Sequence, residues 1–339
     1  MTIAGTDRGM IRIDMRTCEP QERAEWSLTL DQLDRPFHLA ADHQRHHPTT
    51  VPTRRESGTS GIDRDIRETV TVTDLAGAHI VITGGSEGIG LEVARAAHQR
   101  AARVSLIARR ADVLEAAAAS IGTDVAWAAA DVSDPSALER AIGEVVATHG
   151  AVEVLVACAG YATPGYFSSL ATGEFHRHMD VNYFGALHAV RAVTPAMVAS
   201  GRGHLVVVSS TAGILGVFGY SAYSPTKFAL RGLGEVLRAE LGPVGIQVSV
   251  AYPPDTVTPG FDRENLTKPP ETIAISGAIK AIPAHRTAAA IVSGIERDRW
   301  QIFADPLTAV LAHSIGLIGP IVRRVNQTRA RRAAARVSD

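Results

Sequence analysis

The sequence predicts an α/β fold, a doubly wound parallel sheet with helices on both faces, from three observations. Short apolar runs alternate with stretches of helical period, the alternation extends over roughly 74–305, and the first run opens into a glycine-rich turn. Strands separated by helices pair in parallel through crossovers, and the crossing helices cover both faces. In order, the elements are a strand over 78–82, a helix over 91–100, a strand over 104–108 and a helix over 111–120. A strand near 125–130, a helix over 135–148 and a strand over 152–157 continue the series, and later strands fall at 203–208 and 246–251. No internal repeat of fixed period appears.

Composition narrows the class. Of 339 residues, 45% are hydrophobic and 20% charged, with a formal net charge of -1, which is ordinary for a globular enzyme. A near-neutral chain has no electrostatic case for binding nucleic acid, and none is expected as a partner. Two cysteines, Cys18 and Cys158, exclude a disulfide framework and a Cys-rich zinc module. The first residues lack a basic stretch followed by an apolar one, so no secretory signal is expected and the cytoplasm is the expected location.

Two flanking zones differ from the α/β body. Residues 1–73 carry ten Arg and twelve Asp or Glu around Ser, Gly, Thr and Pro clusters. A segment of that composition buries too little apolar surface to offset its chain entropy, and a disordered extension is expected. A translation start at Met10 or Met15 is the other reading of this zone. His43, His46 and His47 lie within it and are expected to bind no metal. The tail, 306–339, begins with an apolar run over 307–322 that Pro320 interrupts, and six arginines follow from Arg323 to Arg336. So short and broken a run is not expected to span a bilayer. It fits equally a helix packed on the body or a sister subunit, and an interfacial anchor giving peripheral contact with a membrane.

The turn after the first strand, Thr83-Gly84-Gly85-Ser86-Glu87-Gly88-Ile89-Gly90, suits a dinucleotide, as in a Rossmann fold. Gly84 permits the tight turn, Gly88 lets the backbone approach a pyrophosphate, and Gly90 allows the helix to pack closely on the strand. The same residues contain Gly84-x-Ser86-x-Gly88, the nucleophile elbow of a serine hydrolase. The dinucleotide reading is preferred because the turn follows the first strand, and because Gly90 has no role in an elbow. At the end of the second strand, Ala108-Arg109-Arg110 has arginines where an NAD site has an acid, which favours a 2′-phosphate and hence NADP(H). Glu87 points the other way, since an acid facing that phosphate would repel it.

Downstream, Tyr223-Ser224-Pro225-Thr226-Lys227 places Tyr223 and Lys227 one turn apart on a helix. An ammonium there is expected to favour the phenolate and lower the tyrosine pKa. Ser210, at the end of the run Val206-Val207-Val208-Ser209, can bond a ketone oxygen together with Tyr223; the adjacent Ser209 is the alternative.

Together these motifs resemble the short-chain dehydrogenase/reductase family over about 78–251. Asn182, in Val181-Asn182-Tyr183, matches the family's fourth catalytic position, at a helix kink whose water leads to the lysine. The resemblance implies that Ser210 orients the substrate, Tyr223 donates the proton, and Lys227 tunes Tyr223 and holds ribose. With Gly84, Ser86, Glu87, Gly88, Ile89 and Gly90, the implied cofactor contacts are Arg109, Asp131, Val132, Tyr223, Lys227 and Thr256. A dimer or tetramer is the family's default. Two departures stand out: Ala157-Cys158-Ala159-Gly160 replaces the usual Asn-Asn-Ala-Gly, and Pro253-Pro254 replaces Pro-Gly.

A narrower resemblance, to the 3-ketodihydrosphingosine reductases, rests on Ala251-Tyr252-Pro253-Pro254-Asp255-Thr256 and the residues through Pro269. Phe228-Ala229-Leu230-Arg231-Gly232-Leu233 and Ile321-Val322-Arg323-Arg324 are similar as well. It implies NADPH-dependent reduction of a long-chain amino ketone, 3-ketosphinganine, to sphinganine. Asp255, Asp262 and Glu264 are then candidates to pair with the substrate ammonium. The alternatives are a reductase of another long-chain keto lipid and a dinucleotide-binding protein without turnover.

Overall fold

The computed structural model describes residues 2–5, 11–14, 73–276 and 280–338. The chain divides into two units, Met1–Ile66 and Arg67–Asp339. In the first, β1 (Thr2–Gly5) pairs antiparallel with β2 (Ile11–Asp14), a ribbon that no periodicity in the sequence announces. The rest of the expected extension over 1–73, with His43, His46 and His47, lies outside the described residues, except Thr73.

The second unit holds the predicted α/β body. Its strands are β3 (His79–Thr83), β4 (Arg103–Ala108), β5 (Ala126–Ala129), β6 (Val154–Ala157), β7 (Gly203–Val208) and β8 (Ile246–Tyr252). A short parallel pair, β9 (Thr256–Val257) with β10 (Ile282–Pro283), precedes the last strand, β11 (Gln301–Phe303). Seven strands form one parallel sheet in the order β11-β8-β7-β6-β3-β4-β5.

Alternate strand residues enter opposite layers. Ile80, Ile82, Val154 and Val156 pack with α1 (Gly88–His98), α2 (Ala111–Ala119) and α9 (Ala284–Glu296). Val81 and Leu155 pack with α3 (Pro135–His149) and α5 (Gly185–Ser200) on the other face. A strand covered on both sides is apolar on both faces except where a buried polar group is bonded, which is why these runs read as near-continuous rather than alternating. Local chemistry sets the boundaries: Asp134 accepts from the backbone N–H of Ser136 and Ala137 ahead of Pro135, and Gly201 ends α5 at φ 64°.

The remaining helices are α4 (Thr172–His178), α6 (Ser224–Leu241), α7 (Pro259–Asn265), α8 (Pro270–Ser276) and α10 (Pro306–Ser338). Helix α10 runs unbroken for 33 residues through Pro320, where the sequence reading had the run interrupted. Proline frees the carbonyl four residues earlier, and Gly316 is exposed, so water can satisfy it. Leu311, Ala312 and Ile315 lean on the cluster around Tyr252, while Leu307, Val310, Leu317, Ile321 and Val325 stay exposed. By length and composition, Pro306–Ala335 meets the requirement for crossing a bilayer, which the sequence reading had not expected.

Two histidines are buried at the amino ends of the parallel strands. His79 Nε2 lies 2.8 Å from Ser105 Oγ and its Nδ1 2.8 Å from the Gly150 carbonyl. His204 Nε2 lies 2.8 Å from Ser249 Oγ and its Nδ1 3.2 Å from Thr73 Oγ1. Burial pulls His79 down to about 4, against the Gly150 carbonyl, and His204 down to about 3. Below the ordinary value of 6.5 the unfolded chain therefore takes up protons that the folded chain refuses. Their stabilising contribution is complete above about pH 6.5 and declines toward pH 4, by on the order of a few kcal/mol in total. The urea midpoint should fall between pH 7 and pH 4.5, and the His79→Gln/His204→Gln double variant should show a shallower decline. An unchanged slope in that variant would remove the two imidazoles as its cause.

Candidate active site

Neighbouring strands β3 and β6 lead to helices on opposite faces, so a crevice opens beyond their carboxyl ends. The glycine turn lies on one side of it. Gly84 has φ 70°, and a Cβ there would sit 2.8 Å from Ala159 Cα on the other side. A Cβ on Gly90 would meet the Gly84 carbonyl oxygen at 2.3 Å, so helix and turn approach closer than any side chain allows. Gly88 has φ 62°. Glu87, the N-cap of α1, makes no side-chain cap bond, which leaves the first amides of the helix free for an anion. These features fit a dinucleotide pyrophosphate.

The expected Asn-Asn support is replaced. Thr83 Oγ1 accepts from the backbone N–H of Cys158 at 3.2 Å and of Ala159 at 3.3 Å, tying β3 to the segment after β6. Burial pushes the Cys158 thiol up to about 11, so it remains protonated.

The other predicted cofactor contacts divide. Ser86 is buried in the turn, and Ile89 packs against the core, leaving its backbone toward the crevice. Arg109 is exposed at the end of β4. Asp131 Oδ1 accepts from Ser133 N at 2.9 Å and Ser133 Oγ at 2.7 Å, and Val132 is buried against Gly185. Thr256 is turned inward: its hydroxyl donates to the Pro254 carbonyl at 2.8 Å and meets Thr287 Oγ1 at 3.1 Å. Thr258, two residues on, is the side chain against the glycine turn, 3.2 Å from where a Gly88 Cβ would be. Glu87 is held between Arg110, at 3.0 Å, and Arg263 of α7. Burial raises its carboxyl, but hydrogen bonds from the two guanidiniums outweigh this and hold it below the usual value.

The four residues Asn182, Ser210, Tyr223 and Lys227 converge on the crevice. Asn182 is fully buried in a π-helical turn, Met179–Phe184, which is the kink expected at this position. Its Oδ1 accepts from Tyr161 N at 2.9 Å, and its Nδ2 donates to the Tyr161 carbonyl at 3.0 Å and to Thr226 Oγ1 at 3.2 Å. Lys227 Nζ donates to the Val208 carbonyl at 3.0 Å and lies 5.5 Å from the Tyr223 ring centre. A Cβ on Gly160 would stand 3.1 Å from Asn182 Oδ1 and 3.5 Å from Lys227 Nζ, so glycine keeps the gap between them open.

The two serines are separated by their bonds. Ser209 is buried, and its Oγ donates to the Lys227 carbonyl at 2.8 Å, a structural tie between β7 and α6. Ser210 Oγ accepts from Ala212 N at 3.1 Å and shares a hydrogen bond with Tyr223 in the crevice.

Electrostatics correct one expectation. Burial raises the Tyr223 pKa above its ordinary value, as do the carboxylates of Glu264 and Asp255, against a hydrogen bond with Ser210. Lys227 does not win this contest, because burial also pulls its own pKa down to about 8. Tyr223 is therefore a protonated phenol, not a phenolate, at neutral pH. The acids come from the segment after β8. Glu264 accepts from the Tyr220 hydroxyl and pairs with Lys268 at 3.2 Å, and the Tyr220 and Tyr223 rings are 5.7 Å apart. Burial raises the pKa of both acids, and Lys268 opposes the shift in each. Asp262, by contrast, lies in the first turn of α7 without a bond to this cluster.

Tyr220, Thr258, Arg263 and Lys268 were not singled out from the sequence. Thr258 and Arg263 lie far in sequence from the turn they meet, Arg263 being 176 positions from Glu87.

Comparison with known proteins agrees with this arrangement. The model of the short chain dehydrogenase family matches residues 78–269. The 3-ketodihydrosphingosine reductase of Dictyostelium discoideum is 41% identical over 259 residues, covering 70% of this chain and 78% of that one. Its namesake from Bos taurus is 44% identical over 226 residues, covering 64% and 68%. A short-chain dehydrogenase from Sphingobium yanoikuyae, solved with NADPH, is 26% identical with a TM-score of 0.62, covering 70% of this chain and 92% of its own. With its glycine turn, its buried asparagine and its Ser-Tyr-Lys cluster in one crevice, the chain belongs to the short chain dehydrogenase family.

Proposed function

We propose that this enzyme reduces the ketone of 3-ketosphinganine to sphinganine with NADPH. The observation that carries the reading is the pair of buried acids, Glu264 and Asp255, whose charges act directly on Tyr223. An amino ketone brings an ammonium beside its carbonyl, and that charge offsets the pair where a neutral keto lipid would not. The names of the Dictyostelium and Bos taurus relatives support the same substrate. The NADPH held by the Sphingobium relative, together with Arg109 and Arg110 in this chain, supports the cofactor.

When bound, the reduced nicotinamide supplies the hydride. Ser210 turns its hydroxyl from Tyr223 to donate a hydrogen bond to the ketone oxygen, and Tyr223 gives its phenolic proton to that oxygen as charge develops. The raised pKa suits this direction, since reduction needs the phenol loaded. Lys227, whose pKa of about 8 lets it exchange protons near neutrality, stands beside Asn182 and Gly160 and returns a proton to Tyr223. Tyr166 and Phe218, half-exposed and with rings 6.1 Å apart, offer an apolar surface for the acyl chain.

The same reading places α10 at a lipid surface, as a peripheral contact on the cytoplasmic face of a membrane. Its exposed Leu307, Val310, Leu317 and Ile321 form an apolar stripe, and Arg323, Arg324 and Arg331 follow on the same helix. An apolar stripe followed by arginines suits anionic headgroups, each arginine contributing about 1 kcal/mol near the surface.

Purified protein should oxidise NADPH with 3-ketosphinganine in preference to an amine-free long-chain β-ketoester, and Tyr223→Phe should lower kcat by roughly 10²–10⁴-fold. Asp255→Asn or Glu264→Gln should raise KM for the amino ketone alone; an equal effect on both substrates would point to another keto lipid. The serines should part company. Ser210→Ala should cost about 10²-fold in kcat with the fold intact, whereas Ser209→Ala should cost roughly 0.5–1.5 kcal/mol of stability by removing the hydrogen bond that ties the end of β7 to α6. In sedimentation with phosphatidylcholine vesicles, phosphatidylserine should increase binding, and Arg323→Glu with Arg324→Glu should abolish the increase. Equal binding with and without the anionic lipid would exclude the arginine contact.

A further inference from the structure

We infer that Arg263, carried by the substrate-side helix α7, recognises the 2′-phosphate of the cofactor, and that Glu87 holds its guanidinium ready as a surrogate anion. The inference rests on the NADPH reading above and adds a residue to it from outside the cofactor motifs.

Three observations lead there. First, the 3.0 Å contact between Glu87 and Arg110 fixes the carboxylate at the end of β4, where this fold presents a charged group to the adenosine 2′ position. An acid alone would repel a phosphate there. Two guanidiniums converge on the single carboxylate, however, and Arg109 stands exposed beside them, so the cluster carries surplus positive charge. Second, the arginines are free to turn. Arg110 and Arg263 are 56% and 60% exposed against 30% for Glu87, and an exposed ion pair is worth about 0–1 kcal/mol, little enough for a dianion to displace. A phosphate offers three acceptor oxygens to the fork-shaped guanidinium donors, and Glu87 can offer two.

Third, α7 is held over the glycine turn by more than this pair. Thr258 caps α7 by accepting from Phe261 N at 3.0 Å, and its methyl lies against Gly88. Arg263 therefore stays beside the cofactor site whether or not it bonds Glu87. The next residue on α7, Glu264, faces Tyr220 and Lys268 beside the catalytic tyrosine. One short helix thus presents one side chain to the cofactor and the next to the substrate pocket. A phosphate gripped by Arg263 steadies the acid that meets the amino ketone.

The test is calorimetric binding of 2′,5′-ADP and 5′-AMP to the full chain, with no turnover involved. Wild type should bind 2′,5′-ADP more tightly. Arg263→Ala should weaken 2′,5′-ADP about tenfold, the size of one charge-assisted contact, and leave 5′-AMP unchanged. Glu87→Gln should tighten 2′,5′-ADP several-fold by removing the competing anion. If Arg263→Ala weakens both nucleotides alike, or neither, Arg263 does not read the phosphate, although the cofactor preference stands. If wild type itself binds the two nucleotides equally, the NADPH reading fails and the inference fails with it.

Discussion

Strands β3 and β6 lie side by side yet send their connections to opposite faces of the sheet, and a gap must open where the two connections part. The walls of that gap are backbone: the turn at Gly84 on one side and Ala159 on the other, too close for a side chain between them. Thr83 laces the walls together with one hydroxyl accepting two amides. Ser210 after β7 and the loop after β8 reach the same gap because the parallel sheet delivers every strand's carboxyl end to one edge.

Charge within the gap is set by burial more than by the lysine one turn from the tyrosine. Tyr223, Lys227, Asp255 and Glu264 are each shifted toward the neutral form by loss of water. A neutral phenol and a lysine near its midpoint make a proton donor with a reservoir behind it. The acids disfavour the phenolate further, although Lys268 already lies against Glu264. On the proposed amino ketone, substrate charge and proton transfer would be coupled: an ammonium beside the acids would ease departure of the phenolic proton.

Much of the fold was legible because doubly covered strands write themselves as apolar runs. The strand β7 was read at its observed bounds, and β3, β4 and β8 within a residue or two of theirs. The seventh strand, β11, was not, because three residues with a glutamine among them carry no period. At the site, the glycine turn, Asn182, Ser210, Tyr223 and Lys227 were legible since each belongs to a local spacing. The elbow Gly84-x-Ser86-x-Gly88 was equally visible, and the approach of Gly90 to Gly84 separates the two readings. Choosing between Ser209 and Ser210 required knowing which hydroxyl meets the Lys227 carbonyl. That Thr258 rather than Thr256 meets the glycine turn has no signature in sequence, because the direction of side chains in an irregular loop is not periodic. The partners of Glu87 were out of reach for the same reason.

The imidazoles of His79 and His204 sit at the amino ends of the strands, and the chemistry sits at the carboxyl ends. Between them lies the full thickness of a dry sheet without a titratable side chain in its central strand β6, Val154–Ala157. Acid therefore meets the molecule at two ends: protonating the imidazoles bears on stability, and protonating the crevice groups bears on the proposed proton transfer.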